Sequence, residues 1–327
     1  MAQSPRTRRS IVLAATLSAA CSGIAFGQNY PVKPMTLVVT YPPGAATDVF
    51  ARVAARSMGD MLGHQVVVLN RDGAGGATGT DLVAKASGDG YMLLWGSSGP
   101  VTISPVWADK MPYDVMRDFA PVGLFVKIPF YLLVHPSVPV KTVKELVTLA
   151  RAKPGKLNFS SGGVGSQSHF AGEFFRSLAK IDIVHVPYRG TAISETELIA
   201  GQIELGFASP TVTMRSASTG RLRVLATTGT QRSEMFPQVP TMAEAGVPGY
   251  EFIQWYGLLV PAKTPREVVS LLNATLNKSL DDPNVKKKIA SEGGTAAPQT
   301  PEQFGAYLKA ELAKNGKMIK EAGIRRE

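Results

Sequence analysis

The chain has 327 residues, a formal charge of +10, 44% hydrophobic residues and one cysteine. A single cysteine excludes a disulfide framework, and no lysine/arginine block is interleaved with aromatics as nucleic-acid binding would require. The dispersed positive charge reads as solubility with a mild attraction for anionic ligands.

Residues 1–27 read as a targeting segment. Arg6, Arg8 and Arg9 form a basic start, residues 11–20 an apolar core too short to be retained in a bilayer, and Ala25-Phe26-Gly27 a small-x-small cleavage site. Arg8-Arg9 followed by Ser10-Ile11-Val12 also resembles a twin-arginine signal, so export to the periplasm is expected by either route. Cys21 lacks a leucine three positions upstream and is read as discarded with the leader. Cleavage removes three arginines and no acid, so +10 falls to +7, and the remaining 300 residues contain no cysteine for thiolate chemistry or metal binding. A chain of that length is expected to divide into two cores.

Residues 35–41 are expected as a buried strand, stopped by Pro42, Pro43 and Gly44. Thr47 or Asp48 is placed to cap the next helix, where Val49, Phe50, Val53, Ala54, Met61 and Leu62 keep helical spacing up to Gly63. Unpaired amides at such a helix start, aided by the helix dipole, attract a carboxylate or phosphate. The stretch around Gly44, Ala45 and Ala46 therefore reads as an anion cradle. A strand follows at 66–70, a glycine-rich loop at 71–79, a helix at 80–86 and a strand at 91–96. Residues up to Pro121 look irregular. A strand at 130–135 precedes the capping box Thr142-Val143-Lys144-Glu145 and its helix to Ala152.

The cradle design then recurs. A strand at 157–161 leads through Gly162-Gly163-Val164-Gly165 to Ser166 and a helix carrying Phe170, Phe174 and Leu178. Two facing cradles predict a clamp. Strands at 183–188, 203–208, 222–227 and 255–260 and a helix at 194–200 follow. Thr264-Pro265-Arg266-Glu267 and Thr300-Pro301-Glu302-Gln303 each open a late helix, and three helices in all close the chain with no further strand. The alternation predicts two parallel α/β sheets with ligands at the carboxyl ends of strands. The second domain is read as inserted into the first: domain I is 30–128 plus 252–327, and domain II is 129–251.

The sequence resembles the Bug family, the extracytoplasmic solute-binding receptors of tripartite tricarboxylate transporters. The resemblance rests on Tyr30-Pro31-Val32-Lys33-Pro34, Pro43-Gly44-Ala45-Ala46-Thr47-Asp48, Asn70-Arg71-Asp72-Gly73-Ala74-Gly75-Gly76 and Gly88-Asp89-Gly90-Tyr91. It continues in Val186-Pro187-Tyr188-Arg189-Gly190, Gly201-Gln202-Ile203-Glu204, Val239-Pro240-Thr241-Met242-Ala243-Glu244-Ala245-Gly246 and Lys320-Glu321-Ala322-Gly323-Ile324. It covers essentially all of residues 28–327. It implies a Venus-flytrap, type II-like fold that closes on a small organic acid and delivers it to a membrane permease, as a monomer without cofactor. Such receptors hold a carboxylate mainly through backbone amides, hydroxyls and water. The chain departs from the family at Ala45, where a second glycine is usual, at Asp72 and Ser87-Gly88, and at Asn315-Gly316.

The expected ligand contacts are Gly44, Ala45, Ala46 and Thr47 from one side and Ser161, Gly163, Gly165 and Ser166 from the other. Asp48 either caps its helix or meets an amine, hydroxyl or water at the far end of the ligand; the second case favours amino or hydroxy acids. Ser97 and Ser98 line the domain I wall or form a simple turn. Tyr41, Phe207 and Trp255 stack on the ligand or belong to the core. Tyr188 and Ser209 end strands near the cleft, and His169 reaches the ligand or is packed. The ligand is a dicarboxylate, an amino acid or an aromatic acid.

Enzyme readings are weaker. His64, His135, His169 and His185 contain no i, i+4 pair for a helical metal site. Gly73 to Gly79 imitates a dinucleotide loop, yet no acid closes the next strand, so the glycines read as a tight turn supporting the pocket. The alternative of a different class is an exported hydrolase or lyase using Ser98 or Ser166 with a histidine.

Overall fold

The computed structural model describes residues 30–324. The leader, its arginines and Cys21 lie outside the described residues. Residues 30–32 belong to an N-terminal unit, and the body begins at Lys33.

The body contains two sheets. The first has six strands in the order β11-β4-β10-β3-β1-β2: β1 (Met35–Val39), β2 (Val66–Asn70), β3 (Met92–Ser97), β4 (Phe119–Pro129), β10 (Ile253–Pro261) and β11 (Thr295–Ala296). The second has five in the order β7-β6-β8-β5-β9: β5 (Tyr131–Val134), β6 (Asn158–Ser161), β7 (Val184–Pro187), β8 (Leu205–Ala208) and β9 (Arg223–Thr227). The helices are α1 (Ala46–Leu62), α2 (Ala77–Ala84), α3 (Ser104–Trp107), α4 (Val115–Asp118), α5 (Val143–Ala152), α6 (Gln167–Ala179), α7 (Thr191–Ile199), α8 (Pro210–Ser218), α9 (Arg266–Ser279), α10 (Pro283–Ser291) and α11 (Pro301–Ala322).

The sheets are mixed, which corrects the expectation of purely parallel ones. β1 pairs with β2 and β3, and β6 with β7 and β8, in parallel. β10 runs antiparallel to both β3 and β4, and β5 runs antiparallel to β8 and β9. Each sheet thus keeps a parallel half that ends in a cradle and adds antiparallel strands where the chain passes between sheets. β4 and β10 pair up to Pro129 and Ile253. Just beyond, Thr228 binds both crossing segments: its N–H donates to Phe130 O (2.9 Å), its hydroxyl accepts from Phe130 N–H (2.7 Å) and donates to Phe252 O (2.6 Å), and its carbonyl accepts from Phe252 N–H (3.0 Å).

Apolar burial is organised around each sheet. Val38, Leu94, Leu124, Trp255, Leu259 and Phe304 share one cluster; Leu132, Phe159, Phe170, Phe174, Phe207 and Phe252 belong to another. Trp255 is fully buried against Phe304 and Tyr307, so its aromatic surface serves the core. α11 reaches both clusters, with Phe304 and Leu308 in the first and Ile319 in the second, which Ile324 just past its end also joins. Midway, Asn315 donates to Thr102 O (3.1 Å), which gives one of the family departures a packing role.

Thr300 and Gln303 form the expected capping box, and Thr142 accepts from Glu145 N–H. At α9 the N-cap is Pro265 without a side-chain bond, so Thr264 does not cap there.

Candidate functional site

The first cradle lies between β1 and α1. Its N-cap is Ala45, in extended conformation and without a side-chain cap, which corrects the assignment of that role to Thr47 or Asp48. Asp48, in the first turn, reaches back instead. Its Oδ2 accepts from Gly44 N–H and from Arg52 Nε, both at 2.9 Å, and its Oδ1 accepts from Asn70 Nδ2 at 2.9 Å. Asn70 Nδ2 also donates to Tyr41 O and so fastens the turn from β2 (2.9 Å). Burial works to raise the Asp48 pKa, but the bonds from Arg52, Gly44 and Asn70 outweigh it and hold the carboxyl below its usual value.

This clamp changes the amide inventory. Gly44 N–H is consumed by Asp48, and Ala45 N–H bonds Pro42 O (3.3 Å). The N–H groups of Ala46, Thr47 and Asp48 have no partner among the described residues. They are the orphan donors of the first helical turn, where the dipole favours an anion. Gly44 has φ +84, a conformation that glycine adopts freely and that turns the chain out of the strand.

The second cradle spans β6 to α6. Ser166 is the N-cap and accepts from His169 N–H (3.3 Å). Most of the loop's amides are spent internally: Gly162 N–H on Ser168 Oγ (3.1 Å), Gly163 N–H on Ser161 Oγ (3.1 Å), Gly165 N–H on His169 Nδ1 (3.2 Å) and Ser166 N–H on Gly163 O (3.1 Å). Val164, Gln167 and Ser168 keep backbone N–H groups without partners among the described residues. Val164 lies within the stretch expected from sequence, whereas Gln167 and Ser168 lie one and two residues beyond it. His169 is buried, stacked on His185, and faces the loop.

Side chains beside the two cradles approach each other at Gly99. A Cβ built there would stand 2.7 Å from the Tyr41 hydroxyl and 3.4 Å from Gln167 Nε2, so groups flanking the first and second cradles converge on one point. Burial raises the Tyr41 pKa, with the Ser97 hydroxyl acting in the opposite direction. Ser97 is fully buried, and Ser98 donates to Gln254 Oε1 (2.9 Å). Tyr256 is buried beside Phe50; burial raises its pKa, with the Thr47 hydroxyl acting in the opposite direction. From α3, Trp107 lies over Gly165, where a Cβ would stand 2.9 Å from its ring. The glycine loop after β2 supports this wall: Gly76 approaches Pro100 and Thr40 Oγ1 so closely that a Cβ would meet them at 3.0 to 3.1 Å.

Phe207 is core, ringed by Phe175 and Tyr250, because its strand is buried on both faces. Tyr188 is half-buried; its N–H bonds Ser161 O (3.0 Å), and its carbonyl lies 3.2 Å from a Cβ built on Gly163. Ser209 is the N-cap of α8 with no cap bond from its hydroxyl. A cavity of about 660 Å³ touched by Thr142, Leu222, Arg232 and Phe236 is lined by none of the expected contacts. Gln167 and Gln254 were absent from those expectations. The hydrogen-bonding capacity of Gln167 at the first position of a capped helix was the available signal; Gln254 carried none.

The serine-nucleophile alternative finds no geometry. Ser98 bonds a glutamine, and Ser166 has Ser168 and a backbone N–H as its partners. Ser161 lies 2.6 Å from His185 Nε2, but it is fully buried and bound to its own loop. Among the described residues no three His, Cys, Asp or Glu side chains are placed to hold a metal ion.

Two α/β lobes, each ending parallel strands in an amide-bearing turn, define a two-domain solute-binding receptor. The family follows from the chain itself. The model described as "Tripartite tricarboxylate transporter family receptor" matches residues 50–324, and the chain belongs to that family. It is 34% identical to Protein BugT of Bordetella pertussis over 310 residues, 94% of this chain and 95% of that protein. Among solved structures, R. palustris Rpa4515 with adipate is similar at TM-score 0.79 and 32% identity, covering 90% of this chain and 99% of that one. The periplasmic binding protein BugD is similar at TM-score 0.76 and 31% identity, over 91% and 100%. MatC from Rhodopseudomonas palustris with bound malate is similar at TM-score 0.76 and 28% identity, over 89% and 100%. The chain is a solute-binding receptor, and the family and its solved members do not favour an enzyme.

Proposed function

We propose that this receptor captures a small dicarboxylate in the periplasm and delivers it, as a monomer, to the permease of a tripartite tricarboxylate transporter. The observation that carries this reading is the convergence on Gly99 of Tyr41 and Gln167, with unpartnered amides at the start of both α1 and α6. One carboxylate is held by Ala46, Thr47 and Asp48 amides and the Tyr41 hydroxyl; Gln167 and Ser168 amides close from the other lobe. Neutral donors suffice: a net hydrogen bond contributes about 1 kcal/mol, roughly doubled for a charged acceptor, so about five support micromolar binding.

The clamp favours one ligand class over another. Asp48 already has three bonds, so a ligand amine finds no free carboxylate there. That disfavours amino acids. The adipate and malate seen in Rpa4515 and MatC are both dicarboxylates, which agrees with this choice. The lobes are assigned as 30–128 plus 252–327 and 129–251, with Thr228 tying the crossings. Export by the leader fits the periplasmic description of BugD.

The test is a thermal-shift panel of succinate, malate, adipate, citrate, aspartate, nicotinate and terephthalate. Saturation at a hundredfold excess over Kd adds about 2.7 kcal/mol of stability. A shift with an aliphatic dicarboxylate is expected; a shift with aspartate alone would overturn the assignment of Asp48.

A further inference from the structure

We propose that His169 and His185 are the positioning residues of the second cradle, acting as neutral hydrogen-bond partners that turn its loop amides inward and leave the Gln167 and Ser168 amides free for ligand. The inference rests on the receptor reading for the purpose of the loop, and on geometry alone for how the loop is held. Phe159, His185 and His169 form a continuous stack: Phe159 and His185 centroids are 4.9 Å apart at 26°, and His185 and His169 are 4.2 Å apart at 29°. Gly172 on α6 makes room for it, because a Cβ there would overlap the Phe159 ring.

Each histidine fixes one part of the loop. His185 Nε2 lies 2.6 Å from Ser161 Oγ, the atom that accepts Gly163 N–H. His169 Nδ1 accepts Gly165 N–H directly. Both glycines have positive φ, +116 and +81, so the loop has a conformation that few other residues would maintain unaided. A backbone N–H can only donate, so His169 must present an unprotonated Nδ1, with its proton on Nε2. Protonation would set N–H against N–H and expel the Gly165 amide.

The surroundings keep the ring neutral. Burial, the neighbouring His185 and then Arg176 push the His169 pKa down to about 4, and burial followed by Arg176 does the same for His185. On α6 the charged neighbours are Arg176 and Glu173, which pair with each other (2.6 Å). From β6 and β7 the neighbours are Phe159, Ser161 and the partner imidazole. Among the described residues no carboxylate bonds either ring to hold it protonated.

The experiment measures amide hydrogen exchange by NMR on the ligand-free protein. At neutral pH, His169→Phe is expected to lower Gly165 protection about tenfold, whereas His169→Asn, whose Oδ1 can replace Nδ1, restores it. In the wild type, Gly165 protection falls as pH approaches 4 while the core remains protected, and His169→Asn abolishes that dependence. Unchanged protection in His169→Phe, or the same pH profile in His169→Asn, would overturn the proposal. If His169→Phe does not fold, the wild-type and His169→Asn profiles still decide it. The readout contains no ligand, so failure of every acid in the panel would count against the receptor's ligand assignment and leave the histidine result intact.

Discussion

The two cradles share a backbone plan and differ in what stiffens it. The first is held by a buried, ionised carboxylate bound to an arginine, an asparagine and a glycine amide. The second is held by serines and two stacked neutral imidazoles. Both leave backbone amides at the start of a helix without partners among the described residues. In the proposed anion site the charges are compensated before the ligand arrives: Arg52 is paired with Asp48, and the histidines stay neutral. Attraction then comes from oriented N–H groups, which need no reorganisation on binding.

The sharpest way to break the comparison is Asp48→Ala. It strands the Gly44 amide and takes one partner each from Asn70, which keeps Tyr41 O, and from the half-exposed Arg52, which keeps Asn70 Oδ1; it should destabilise the protein by about 2 kcal/mol, read from the denaturant midpoint. Acid titration separates the cradles next. His169 has a folded pKa lowered to about 4, so the unfolded chain takes up the proton first, near pH 6.5. The contribution of His169 to stability is full above that value and falls by about 1.4 kcal/mol per pH unit until about pH 4, and His185 adds a parallel loss. The contribution of Asp48, whose folded pKa is also lowered, is full above the unfolded carboxyl value of about 3.9 and is lost progressively below it, as pH falls to the lower folded pKa. Unfolding curves of wild type and His169→Asn between neutral pH and the carboxyl range should therefore differ in slope, whereas Asp48→Asn should matter mainly above that range.

Gly99→Ala tests whether the cradles converge. Its methyl group must displace the Tyr41 hydroxyl, so ligand affinity should fall about tenfold, or about 1.4 kcal/mol, with little change in unfolding. The smallest effect is that of Ser166→Ala, which removes the cap on His169 N–H and should cost about 1 kcal/mol. Calorimetric titration and denaturation, respectively, check these two.

Strands with a local signature were legible in sequence. The run at 66–70 appears within its expected bounds, and glycine loops mark the cradles. β4 was hidden, because Pro121, Gly123 and Pro129 read as breakers. The structure accommodates Pro121 and Gly123 at register shifts against β10. The two-residue β11, between α10 and α11, was also missed. So was α8: its Thr, Val and Ser residues have weak helix propensity, although Ser209-Pro210 was a start signal. Antiparallel pairing of β5 and β10 depends on the path between lobes, which no local pattern encodes.

At the site, the turns were legible and the amide inventory was not. The groups that consume amides, Asp48, Ser168 and His169, lie three or four residues beyond the turn or further along the helix, and their direction depends on rotamers and packing. Phe207 was ambiguous for a related reason: a strand buried on both faces ends as readily in core as in cleft.

The central claim is that one ligand engages both cradles at once. Hydrogen exchange of the amides of Ala46, Thr47, Asp48, Gln167 and Ser168, measured with and without the acid that gives the largest thermal shift, tests it most directly. Protection should rise at all five together, at one ligand per chain. Protection confined to one cradle, or appearing instead around Thr142 and Arg232, would contradict it.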